Sequence, residues 1–139
     1  TLTLPDEAGT IDTLQRAGNV LQVVQFNYTG RTSIATGSYV ALPIAATITP
    51  SNASNKILVR TVVHAGMSGG NEGLHGRLVC NNSAEYLHSP ASTSALTYAV
   101  WARGHSAGYP ISINSSEADT DSVTQSRTVS SITLMEIAG

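Results

Sequence analysis

Short runs of apolar and β-branched residues recur along the chain, and clusters of Gly, Ser, Asn and Pro separate them. The runs are residues 20–27, 38–44, 45–49, 56–65, 74–81, 84–88, 96–103, 109–114 and 127–138. Runs of this length with such breaks are typical of strands joined by turns. No segment keeps the i, i+3, i+4, i+7 apolar spacing of an amphipathic helix for three turns. We therefore expect an all-β, antiparallel sandwich or barrel with little helix.

The chain has 139 residues, the length of one ordinary domain. Residues 1–18 combine a short alternating start, the turn signal at residues 5–9 and a polar stretch that ends at Gly18. We interpret residues 1–18 as a connector that leads into the domain from a preceding segment. Residues 19–139 are then expected to form a single β-sandwich.

Composition excludes several kinds of partner. Charged residues make up 12% of the chain and the net charge is −2, so much of the exposed surface must be hydroxyl and amide. The basic side chains are dispersed instead of forming a patch, which argues against binding to nucleic acid. No run approaches the roughly 20 apolar residues that span a bilayer, so no membrane insertion is expected.

The residue types that usually hold metals do not occur at the spacings of known sites. The lone Cys80 allows neither an internal disulfide nor a cysteine-rich zinc site. The histidines lack zinc-motif spacing. The acidic triplet within residues 117–121 lacks the glycine and terminal Glu of a calcium loop, and we interpret it as a solvated turn. We expect no metal and no cofactor.

The run 56–64 predicts a strand whose two faces differ in composition. Alternate residues form two faces, Ile57, Val59, Thr61 and Val63 on one and Leu58, Arg60, Val62 and His64 on the other. The second face is half apolar, whereas a solvated face would be more uniformly polar. Runs 20–27 and 127–138 also carry apolar residues on both faces. We therefore predict that Leu58, Arg60, Val62 and His64 contact neighbouring subunits; the alternative is that the connector covers this face.

Two features of the sequence resemble parts of catalytic sites. The spacing G-x-S-x-G at residues 66–70 matches a hydrolase nucleophile elbow, but that motif requires a helix after the turn, and residues 71–79 read as loop and strand. A glycan-cleaving enzyme would need paired carboxylates, such as Glu85 with Glu117 or Asp119, and no pattern favours those pairs. We expect no catalytic residue and no enzymatic activity.

Aromatic and histidine side chains near strand ends are the candidate receptor-binding residues. Sugars bind through an apolar ring face stacked on an aromatic side chain, while polar side chains fix the hydroxyl groups. Tyr86 with His88, and His105 with Tyr109, lie where loops could carry such a site. Trp101 shares a strand face with Thr97 and Ala99 and is expected in the core or at an interface.

Three segments resemble a C-terminal domain that recurs in tail-fibre and other virion proteins of bacteriophages, especially marine and cyanobacterial phages. The segments are GNVLQVVQFNYTG (18–30), TSIATGSYVALPIAATITPSNASNKILVRTVVHAG (32–66) and SRTVSSITLMEIAG (126–139). The matching motifs lie at Val20 to Val24, Thr47 to Val59 and Ile132 to Ile137, whereas residues 66–125 match only loosely. The connector TLPDEAGTI also looks like phage fibre sequence.

The resemblance implies a fold and a function. Such domains look like trimeric jelly rolls of the tumour-necrosis-factor and complement-C1q type, which implies a homotrimer. It also implies a virion protein, assembled in the host cytoplasm with other virion proteins, that binds a host-surface receptor, a glycan or a protein, through a tail fibre or tail tip. The alternative is a head fibre or capsid decoration protein that stabilises the shell, and fold alone does not decide between them.

Overall fold

The computed structural model describes residues 16–67, 80–104, 110–115 and 127–139. These residues form eight strands: β1 (Val20–Tyr28), β2 (Thr32–Ile34), β3 (Val40–Ile48), β4 (Lys56–Met67), β5 (Cys80–His88), β6 (Leu96–Ala102), β7 (Ile111–Ile113) and β8 (Ser130–Ile137). All paired strands are antiparallel, and the described residues contain no helix. The expected all-β, antiparallel class is confirmed.

The strands form a large sheet of six and a small sheet of two. The large sheet has the order β1-β8-β4-β7-β2, and β5 pairs with the other edge of β4. Strand β4 is the longest, at twelve residues, and it pairs first with β8 and then, from Ala65 to Met67, with β7. The small sheet pairs β3 with β6. β4 is therefore the scaffold on which β5, β7 and β8 align.

The core lies between the two sheets and is built mainly from Ile and Leu. The fully buried side chains Ile44 and Ile48 come from β3, Ile57 from β4, and Ile132 and Leu134 from β8. Along β8 the side chains alternate between buried and half-buried positions, as the two-residue period of a strand requires. Each buried Ile or Leu contributes about 1.5–3 kcal/mol relative to an exposed position.

Several strand boundaries differ from the sequence prediction. Runs 38–44 and 45–49 are one strand, β3, because a register shift between Ala41 and Ala45 accommodates Pro43. A proline cannot donate a ladder hydrogen bond, so it suits such an irregular position. The polar pair Asn82 and Ser83 continues β5 instead of breaking it, because both residues pair with β4. The three-residue strand β2 was not predicted, since it is too short to show alternation.

A buried carboxylate holds the break between β3 and β4. Glu136 of β8 is 1% exposed. Its Oε1 accepts hydrogen bonds from Asn55 Nδ2 at 2.6 Å and from the backbone N and Oγ of Ser51 at 2.6 and 2.8 Å. Its Oε2 accepts from Gln22 Nε2 at 2.7 Å. Burial by itself would raise the pKa of Glu136, but these hydrogen bonds outweigh it and lower the pKa to about 2.

A buried asparagine directly after β7 is hydrogen-bonded to the first residue of β8. Asn114 has a φ of 61°, a left-handed conformation that asparagine tolerates better than most residues. Its Nδ2 donates to the carbonyls of Tyr28 and Gly30 at 2.6 and 2.9 Å, and its Oδ1 accepts from Ser130 Oγ at 2.6 Å. This side chain therefore ties the end of β1 to the start of β8.

The connector predicted for residues 1–18 lies almost wholly outside the described residues. Gly18 is described, and its backbone N–H donates to the carbonyl of Ala138 at 2.8 Å. Asn19 accepts from the N–H of Ala138, also at 2.8 Å. The chain thus enters β1 beside the residue that follows β8.

Candidate interaction surfaces

The side of the large sheet that faces away from the small sheet is called the outer face here. Strand pairing aligns its side chains in rows across β1, β8, β4 and β5. The apolar row is Val23, Met135, Leu58 and Leu87; the polar row is Gln25, Thr133, Arg60 and Glu85; the third row is Asn27, Ser131, Val62 and Ser83. An uninterrupted apolar row therefore crosses four strands on a face that the small sheet does not cover.

The four predicted subunit-contact residues, Leu58, Arg60, Val62 and His64, all lie on the outer face. Sequence alternation thus placed them on the correct side of the sheet, since Ile57 and Val63 on the other side are buried. The contact with another subunit stays a prediction. The ends of the apolar row are open to solvent, with Val23 56% and Leu87 49% exposed.

An ion pair lies beside the apolar row. Arg60 Nε is 3.3 Å from Glu85 Oε1, and both side chains are more than half exposed. Such an exposed pair contributes at most about 1 kcal/mol to the stability of a single chain. Glu85, which sequence analysis considered as one member of a catalytic carboxylate pair, is therefore placed against a guanidinium; Glu117 and Asp119 lie outside the described residues.

Tyr86 and His88, two predicted receptor-binding residues, meet at the edge of the sandwich. Their rings stack with centroids 6.1 Å apart and an interplanar angle of 25°. His88 Nδ1 lies 2.7 Å from the hydroxyl of Tyr98, which belongs to β6 of the small sheet. We call Tyr86, His88 and Tyr98 the edge cluster. It joins the two sheets, and Tyr86 is left 65% exposed.

Tyr98 was not among the predicted site residues. In the sequence Tyr98 is one of several aromatic residues, and its partner His88 lies on a different strand, so no local pattern marked it. Burial raises the pKa of its phenol, and the neighbouring Tyr86 raises it further. The hydroxyl therefore stays protonated at neutral pH and bonds the His88 ring. The remaining candidates, His105 and Tyr109, lie outside the described residues.

The exposed face of the small sheet carries a second set of aromatic side chains. Trp101 is 59% exposed and Tyr39 is 64% exposed, and the guanidinium carbon of Arg103 lies 5.2 Å from the centroid of the Tyr39 ring. Trp101 does share its strand face with Thr97 and Ala99, as predicted, but that face points away from the core. The core alternative for Trp101 is therefore wrong, whereas the other alternative, a position at a subunit interface, stays a prediction.

Among the described residues, no three His, Cys, Asp or Glu side chains are grouped so as to hold a metal ion. The same part of the chain has no helix that is long and apolar enough to cross a membrane. The G-x-S-x-G serine, Ser68, lies outside it.

Comparisons of the chain with protein-family models, with curated proteins and with solved structures gave no match. The resemblance to phage fibre domains therefore rests on the three quoted segments and on the connector sequence TLPDEAGTI.

Proposed function

We propose that this domain is a structural module of a bacteriophage virion, without enzymatic activity, that assembles as a homotrimer of jelly-roll sandwiches and attaches the particle to a host-surface glycan. The observation that carries the proposal is the apolar row on the outer face. The sequence resemblance supplies the virion context, and the antiparallel two-sheet architecture agrees with it.

The apolar row favours assembly for an energetic reason. Leu87 and Val23 are already about half buried, so covering them with another subunit contributes about 1 kcal/mol each, roughly half the value for a fully exposed side chain. A standard interface buries roughly 800 Å² per partner, so the contact would have to extend from the apolar row over the neighbouring rows. Arg60 and Glu85 already satisfy one another, so their dehydration in such an interface leaves neither charge alone.

The edge cluster supports the receptor-binding part of the proposal. The exposed ring of Tyr86 offers a stacking surface for a sugar ring, and His88 beside it supplies a polar group for a hydroxyl. A single site of this size binds weakly. Three copies in a trimer raise the avidity without any new contact, because the second and third binding events become intramolecular.

Analytical ultracentrifugation at micromolar concentration tests the assembly. The expected mass is three chains of 14.4 kDa. Leu87→Lys places a charge in the apolar row and should reduce the mass to one chain, while Ala99→Lys places the same charge on the exposed face of the small sheet and should not. A single chain for the unmodified protein, or an unchanged trimer in Leu87→Lys, contradicts the proposal.

Competition for adsorption tests the attachment function. Purified trimer should bind host cells and block phage adsorption, and Tyr86→Ala should weaken this block. Immunogold labelling of particles should mark the tail. Labels repeated over the head would instead support the capsid-decoration alternative.

A further inference from the structure

The exposed face of the small sheet carries a compact group of side chains with no structural task in the described fold. Tyr39, Trp101 and Arg103 form what we call the platform. Val40 pairs with Ala102 and Ala41 with Trp101, so Tyr39 and Arg103 lie side by side just beyond the strand ends. A backbone hydrogen bond from Gly104 N to the carbonyl of Thr36, at 2.9 Å, holds the two segments together there.

The surroundings of the platform leave its rings open. Trp101 has the methyl group of Ala41 opposite it and Ala99 as its same-face neighbour on β6. These side chains are too small to cover an indole, which explains its 59% exposure. The result is a shallow surface with two aromatic faces and one guanidinium.

The charge of the platform is positive. Neither β3 nor β6 contains an acidic residue. Within the part of the chain that the structure describes, Arg103 makes no ion pair. Its guanidinium lies over the Tyr39 ring in a cation–π contact. This contact holds the guanidinium in place and leaves its N–H groups available to an anion, which it can bind in a bidentate manner.

We propose that the platform binds an acidic saccharide, with a sugar ring stacked on Trp101 or Tyr39 and a sugar carboxylate paired with Arg103. Aromatic faces recognise the apolar side of a sugar ring, and the guanidinium distinguishes an acidic sugar from a neutral one. The ligand source rests on the proposed function, because a glycan on a host surface is the acidic saccharide that a virion attachment domain meets.

The position of the platform agrees with this role. If the outer face of the large sheet contacts other subunits, the small sheet lies on the opposite side of each sandwich and faces away from the centre of the trimer. A ligand on a cell surface can reach it there. The three side chains form a surface for one or two sugar rings. A standard subunit contact needs a much larger surface, roughly 800 Å² per partner.

Fluorescence titration tests the proposal directly, since Trp101 is the only tryptophan in the chain. Trigalacturonate is added to the full chain, and fully methyl-esterified trigalacturonate serves as an uncharged control with the same rings. We expect a saturable change in emission with trigalacturonate and binding weaker by about tenfold for the ester, because a charge-assisted hydrogen-bonded pair is lost.

Variants locate the site. Arg103→Gln should weaken binding of trigalacturonate by about tenfold, whereas Lys56→Gln, which removes an equal charge from the large sheet, should leave it unchanged. Trp101→Ala should abolish binding measured by calorimetry. Equal affinity for ester and acid, equal affinity in Arg103→Gln and Lys56→Gln, or absence of saturation at millimolar saccharide would each overturn the proposal.

Sedimentation separates the platform from the assembly. Trp101→Ala is expected to remain a trimer, and a fall in its mass would show that the platform is a subunit contact, which overturns the saccharide site. If the unmodified protein forms a trimer that Leu87→Lys disrupts and yet fails to bind trigalacturonate, the saccharide site on the platform is refuted and the proposed assembly is left intact. If the unmodified protein is a monomer that binds trigalacturonate through Arg103, the proposed assembly is refuted and the saccharide site on the platform is supported.

Discussion

Replacing Glu136 with Gln should destabilise the domain more than any conservative change at an exposed carboxylate. The folded protein lowers the pKa of Glu136 to about 2 through hydrogen bonds from Asn55, Gln22 and Ser51. Since the ordinary value is about 4.3, the shift corresponds to roughly 3 kcal/mol in favour of the folded state at neutral pH. The carboxylate thus stabilises the loop between β3 and β4 through its charge as well as its shape.

The geometry explains why Gln cannot replace it. A glutamine carbonyl at the position of Oε1 could still accept from Ser51 and Asn55. Its NH₂ group would then face Gln22 Nε2, so that two donors meet where a donor and an acceptor meet now. Gln22 Nε2 keeps only its bond to the Thr49 carbonyl, the new NH₂ group is buried opposite a donor, and the charge is lost, for a total cost of about 2–4 kcal/mol.

The pH dependence gives the sharper test. A carboxyl whose pKa is lower in the folded state stabilises the protein above its unfolded pKa, and this contribution is lost as the pH falls toward the folded value. The difference in unfolding free energy between wild type and Glu136→Gln should therefore have its largest value at about pH 6–7. It should decrease between about pH 4.5 and pH 2.

Urea denaturation followed by far-UV circular dichroism, at fixed protein concentration, measures this difference. The matched control is Glu85→Gln, which removes an exposed carboxylate paired with Arg60 and should cost at most about 1 kcal/mol. A difference for Glu136→Gln that stays constant from pH 7 to pH 2, or one no larger than that of Glu85→Gln, would refute the reasoning.

Four further substitutions, at three positions, test other parts of the structure by the same denaturation assay. Asn114→Gly keeps the left-handed backbone conformation and removes only the side-chain hydrogen bonds, so it should cost about 2–3 kcal/mol, and Asn114→Ala should cost about 1–2 kcal/mol more because alanine is strained at that φ. Leu134→Ala should cost about 2–5 kcal/mol, since the side chain is fully buried between the sheets. Tyr98→Phe should cost about 0.5–1.5 kcal/mol through loss of its bond to His88. An Asn114→Gly variant as unstable as Asn114→Ala, or a Tyr98→Phe variant as stable as wild type, would contradict the respective assignment.

Local sequence patterns were sufficient for the fold class and for much of the strand placement. The alternation in run 56–64 correctly separated the buried Ile57 and Val63 from Leu58 and Arg60, because neighbouring side chains of a strand must point to opposite faces. The break at residues 50–55 is a turn, as expected: Ser54 N donates to Asn52 Oδ1, and Asn55 N donates to the carbonyl of Asn52.

Contacts between residues distant in sequence could not be read from such patterns. Glu136 interrupts an apolar run in the sequence, and the partners that make its burial favourable are Gln22 and the loop at residues 51–55. The edge cluster arises because the fold brings Tyr98 of β6 within hydrogen-bond distance of His88, the last residue of β5. The same sheet packing exposes Trp101, which was expected either in the core or at a subunit interface.

Periodicity therefore established which residues alternate, the recurring short runs and their breaks predicted an all-β fold, and composition established that the chain is weakly charged. The pairing of strands decided the rest: it aligned the apolar row on the outer face, placed a charged carboxylate among four donors, and gathered the platform on the small sheet. The physical reason is that side-chain period is a property of each strand alone, whereas burial, hydrogen bonding and exposure depend on which strand lies opposite.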